Sequence, residues 1–87
     1  MSAYIVSYDL VSPGQNYEAL YKAIKSYGNH YHMMESVWLI STIEKATAIR
    51  DKLRQHVDGN DKLFVGKLTG EAAWSNLDGG LVKKTLN

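Results

Sequence analysis

Tyr4-Ile5-Val6-Ser7-Tyr8-Asp9 is the stretch whose reading decides the fold. Aromatic and β-branched residues suit a pleated, half-buried surface, so residues 3–10 read as a strand. Alternation puts Tyr4, Val6 and Tyr8 on one face and Ile5, Ser7 and Asp9 on the other. Both faces carry apolar side chains, which fits a central strand better than an edge. The strand closes on a carboxylate, and a carboxylate buried without a partner is costly. Asp9 therefore needs water, a cation or a donor. Two roles suit it. It can mark the strand end and bond nearby backbone N–H groups, which is common for isolated carboxylates and is favoured on the residues alone. Or, with a helix N-terminus just beyond it, it can help to hold a metal ion and a phosphate.

Working outward, residues 11–16 contain Pro13 and Gly14 and form a link into a helix expected over 16–27. Tyr17, Leu20, Tyr21, Ile24 and Tyr27 recur at helical spacing as one buried stripe, and Gly28 is a suitable stop. Residues 30–35 and 36–40 read as two strands, the second carrying Val37, Trp38, Leu39 and Ile40. Their junction lacks an Asn-Gly-type turn, so a tight hairpin and one long bent strand both remain open. Ser41-Thr42-Ile43-Glu44 fits a capping box, with Ser41 as N-cap and Glu44 at N3. Ala46, Ile49, Leu53 and Val57 would be the buried stripe of that second helix. A turn at 58–61 leads into a last strand at 62–68. The order is β-α-β-β-α-β, the split-βαβ pattern.

This predicts an α+β, ferredoxin-like two-layer sandwich over residues 1–69, with a tail at 70–87 that packs on the domain or on a partner subunit. Two helices would cover one sheet face, and the open face would serve a homodimer. The surplus of aromatics at Tyr4, Tyr8, Tyr31 and Trp38 points the same way.

Bulk properties narrow the function. At 87 residues the chain is one domain, a size that buries only about 60% of its unfolded surface, which makes oligomerisation reasonable. Hydrophobic residues are 45% and charged residues 22%, ordinary for a soluble protein. A net charge of +1 exerts no strong pull on nucleic acid or anionic membrane. The absence of cysteine excludes disulfides and thiolate chemistry and is compatible with a cytoplasmic location. No signal peptide, membrane span or membrane partner is expected.

The ordered motifs resemble those of the CRISPR adaptation family often called Cas-two. They are Tyr8-Asp9 closing strand one, Ser36-Val37-Trp38 in the middle, Ile49-Arg50-Asp51-Lys52-Leu53 in the second helix, and the turn from Asp58 to Asp61 before Lys62-Leu63-Phe64-Val65. VapD proteins share the plan. Tyr8-Asp9-Leu10, Pro13 to Tyr17 and Leu68 to Glu71 are similar to small stand-alone proteins labelled SinR-like, a label that implies no established activity. The resemblance implies a homodimeric ferredoxin-like fold. In some members a strand-one aspartate, Asp9 here, faces its symmetry mate and helps to hold a divalent cation for nucleic-acid cleavage; others are scaffolds on duplex DNA.

On this basis Asp9 is the expected catalytic and metal residue, with Mg²⁺ or Mn²⁺ as cofactor, and Tyr8, Ser12 and Ser36 are its expected substrate-binding neighbours. The expected activity is endonucleolytic, on RNA ahead of DNA. The alternatives are a silent binding module for nucleic acid, a small nucleotide or a protein partner, and a VapD-like toxin ribonuclease. The chain departs from the family pattern in having no basic residue between Asp9 and Lys22 and no arginine in its second strand. His30 and His32 share a strand face but lack further ligands for zinc or copper. The basic residues Lys45, Arg50, Lys52 and Arg54 interleave with acids and read as a solvated mixed surface.

Overall fold

A computed structural model describes residues 1–11 and 17–86. Its elements run β1 (Ser2–Asp9), α1 (Glu18–Lys25), β2 (Asn29–Met34), β3 (Val37–Thr42), α2 (Ala46–Arg54), β4 (Lys62–Lys67) and α3 (Gly79–Leu86). The strands form one antiparallel sheet in the order β2-β3-β1-β4. β1 is central, as its two apolar faces require. It pairs Val6 with Trp38 on one side and with Val65 on the other. This small α+β arrangement, with three helices, is compatible with a ferredoxin-like fold.

On one face Tyr4, Val6 and Tyr8 meet Leu20, Ile24 and Tyr27 from the first helical segment and Ile49 and Leu53 from α2. Trp38 and Ile40 of β3 complete that core. The centres of the stripes expected from spacing are therefore the ones buried, while Tyr21, Ala46 and Val57 are only partly so, and Val57 lies beyond the end of α2. The surplus of aromatics is absorbed here too: Tyr4, Tyr8 and Trp38 are all buried within the single chain, so they leave no aromatic excess for a second copy.

β2 and β3 form a tight hairpin through Glu35 and Ser36, with a bulge between His32 and Met34. The capping box does not form. Ser41 and Thr42 extend β3, with Ser41 paired to Ala3 and to Asn29, and α2 begins after Lys45. Thr42 Oγ1 accepts the Glu44 N–H at 3.1 Å. The Glu44 carboxylate instead accepts the Tyr27 hydroxyl at 2.9 Å and Lys52 Nζ at 3.3 Å.

The second sheet face is not wholly open. The tail folds back, and α3 lies over β3 and β2 and reaches β1. Its Val82 is buried, and Leu39 and Ser41 are buried on the sheet face that it overlies. Asp78 starts this helix: its Oδ1 accepts the Leu81 N–H at 3.2 Å, the geometry of an N-cap. The Asp78 N–H donates to Tyr31 Oη at 3.0 Å and ties the helix start to β2. Between tail and sheet lies an apolar cavity of ≈ 320 Å³. Among the described residues, no helix is long and apolar enough to cross a membrane.

Candidate functional site

Asp9 lies at the exposed end of β1, on the face opposite the helical core. Its pairing partner on β4 is Lys62, and Ser7 pairs with Phe64. These residues, with Tyr8 and Leu63, line a shallow depression of ≈ 170 Å³. The corner lies beyond α3 and leaves Phe64 62% exposed. The Phe64 ring lies over Gly66, where a Cβ would come within 2.8 Å of it. A glycine is needed at that point for the ring to lie down on the sheet. The Asp9 carboxylate makes no hydrogen bond or ion pair with any described residue.

Tyr8 and Ser36 come together, though through the backbone: the Tyr8 N–H donates to the Ser36 carbonyl at 3.1 Å. The Tyr8 side chain points into the core. Its hydroxyl accepts the Trp38 Nε1–H at 3.0 Å and donates to the Glu35 carbonyl at 3.5 Å. Burial pushes its phenol up from the ordinary value, against the opposing effect of the Trp38 hydrogen bond. Both hydrogen-bond partners belong to the same chain, so the hydroxyl holds the core, while the residue itself borders the depression beside Asp9. Ser12 lies outside the described residues.

Asp61 is the organiser that the sequence did not disclose as such. One carboxylate oxygen accepts the Val11 N–H at 2.8 Å and the Tyr17 hydroxyl at 3.3 Å. The other accepts the Asp58 N–H at 2.8 Å. The carboxylate thus fastens both flanks of residues 12–16, as well as the turn before β4. Hydrogen bonding to Val11 above all, then to Asp58 and Tyr17, holds its carboxyl below the ordinary value. The only sequence signal was an Asx-type turn residue before a strand.

His32 stacks on Trp38 with ring centres 4.0 Å apart and planes 6° apart. His32 Nε2 is 3.0 Å from the Glu35 carbonyl, and His30 Nδ1 is 3.0 Å from the Tyr27 carbonyl. Each histidine thus has one ring nitrogen spent on the backbone. The basic residues of α2 are largely engaged with acids: Arg50 and Arg54 with Asp51 at 2.9 and 3.6 Å, and Lys52 with Glu44. That is a mixed surface, not a basic track.

Among the described residues, no group of three or more His, Asp or Glu side chains is placed to hold a metal ion. One chain offers a single free carboxylate beside a lysine at this corner. That donor set suits Mg²⁺ only in its usual manner, in which the ion keeps several waters and is shared between one or two carboxylates and a substrate phosphate. No protein-family model matches the chain, and no solved structure matches it.

Proposed function

We propose that the protein is a small homodimer that acts on nucleic acid as a metal-dependent endonuclease, with RNA ahead of DNA as substrate. Paired Asp9 residues would meet at its two-fold axis. The observation that carries this reading is an exposed carboxylate with no partner among the described residues, at a corner of the second sheet face beside the exposed Phe64. A second copy approaching over that corner would bring two carboxylates to one axis, and the exposed Phe64 offers the apolar contact such an approach needs. Lys62, paired with Asp9, would meet a phosphate oxygen. Asp61 would hold the entrance to residues 12–16 in place. Mg²⁺ or Mn²⁺, when bound between the carboxylates and the substrate, would supply a water activated for attack on phosphorus.

Labelled single-stranded RNA, duplex RNA and duplex DNA, incubated with Mg²⁺, Mn²⁺ or EDTA, test the proposal. Cutting that needs the metal and is lost in a folded Asp9→Ala variant is the expected result. Equal cutting by the variant would remove Asp9 from the chemistry. No cutting by folded wild type on any substrate would favour the binding-module reading, which rests on the lone carboxylate and the cation beside it. Growth arrest on overexpression would be the mark of the toxin-like alternative.

A further inference from the structure

We propose that the cavity between the C-terminal tail and the sheet is a binding site for an uncharged, apolar small molecule about the size of a fused two-ring system. The proposal is independent of the nuclease reading. Ile5 and Leu39 form the cavity's sheet side, and Val82 and Leu86 of α3 close one end. Met33 and Met34 both line it. Consecutive strand residues normally face opposite sides, and the bulge between His32 and Met34 relaxes that alternation. The opposite side is the tail, where Ala72, Ala73 and Ser75 are small and exposed, so the cavity is a groove partly open to solvent.

The cavity is built rather than left over. Three devices fix the tail around it. Trp74 packs against Gly79, where an added Cβ would come within 3.3 Å of the indole Nε1. Asn76 takes a left-handed backbone conformation at φ 62°, which Asn tolerates better than most residues. The Asp78 N–H is tied to Tyr31.

The ligand class follows from the lining. Among the described residues no charged side chain lines the cavity, and Ser75 brings the only side-chain hydroxyl. Water gains little in such a space, because a bound water needs two to four polar partners. An ionic ligand would give up part of its hydration with no charged partner among the lining side chains to replace it. A cavity of about 150 Å³ lined by aliphatic and aromatic side chains holds benzene, and the ≈ 320 Å³ here is about twice that. Two methionines and a tryptophan make a polarisable lining suited to an aromatic or aliphatic guest. Residues 68–78, between β4 and α3, form no helix or strand, and this gives a route of entry that spares the sheet.

The test is a fluorescence titration with N-phenyl-1-naphthylamine, which is uncharged, nearly dark in water and bright in apolar surroundings. The expected result is one saturable site per chain, with energy transfer from tryptophan that falls in Trp74→Phe. Ala73→Phe, which puts a ring into the cavity, should weaken binding about tenfold or more without lowering Tm. Ala73→Ser should bind like the wild type. Absence of a saturable signal in folded protein overturns the proposal, as does equal affinity in Ala73→Phe. One probe per two chains also overturns it, since a second copy would then share the groove.

Discussion

Replacing Tyr8 by Phe removes one oxygen, and the structure says where the cost falls. Trp38 is only 2% exposed, and its Nε1–H has the Tyr8 hydroxyl, at 3.0 Å, as its partner. In Tyr8→Phe that donor stays buried with no acceptor, which costs about 1–3 kcal/mol. With 87 residues and an unfolding entropy of about 2.1 cal/mol/K per residue, each kcal/mol moves Tm by about 5 °C. Tm should therefore fall by roughly 5–15 °C. Thermal unfolding followed by both far-ultraviolet circular dichroism and tryptophan emission checks it. Combining Tyr8→Phe with Trp38→Phe should cost less than the two single changes together, because nothing is then left unpaired. A fall of under about 2 °C would refute the reasoning, since it would mean that water reaches the indole N–H. The same result would return Tyr8 to the list of side chains free to meet a ligand.

Two further outcomes are expected. Asp61 has its folded value lowered from 3.8, so the stability it adds is present above that value and is lost as pH falls through the lower folded one. Acid titration of Tm should therefore show a shallower decline below about pH 4 in Asp61→Asn than in wild type, and superimposable curves would deny the clamp on Val11, Asp58 and Tyr17. Val82→Asp places a charge where α3 meets the sheet. Amide exchange should lose protection over Gly79–Leu86 while β1 and β3 keep theirs, and full retention at α3 would show that the helix does not depend on that contact.

Where the sequence was legible, physics left few alternatives. The alternation from Tyr4 to Asp9 placed a central strand correctly because one residue of slip would exchange its two faces. The stripes of the first two helices were legible for a similar reason: Leu20, Ile24, Ile49 and Leu53 are all fully buried. Ser41 shows where local signals fail. Its capping-box spacing is genuine, but pairing on both sides, with Ala3 and Asn29, outweighs what one cap contributes, and the strand runs on through it. The tail was legible only in part: that it packs was foreseen, but where it packs was not. Asp78 before Gly79 is an N-cap signal, but where the helix docks is set by residues far away in sequence, Tyr31 and Leu39 among them. Of the candidate site, the face and exposure of Asp9 could be read from alternation. The inward turn of Tyr8 followed from the same alternation once the helices were assigned to that face. The role of Asp61 could not be read, because its partners at Val11 and Tyr17 lie about fifty residues away in sequence.

The central position of β1 also bears on how the protein is made. β1 is synthesised before both of its neighbours, β3 and β4, and its β4 pairing runs from Tyr4 with Lys67 to Asp9 with Lys62. Ribosomes add about 5–20 residues per second, so several seconds separate the appearance of this apolar strand from that of its last neighbour. Small mixed α/β domains fold far faster than that once complete. Translation therefore sets the pace of maturation, and the β4 edge of Tyr4 to Tyr8 stays unpaired for that interval even where β3 has already joined. A slow codon cluster before residue 62 would prolong the exposure and favour aggregation, leaving the stability of the finished protein unchanged.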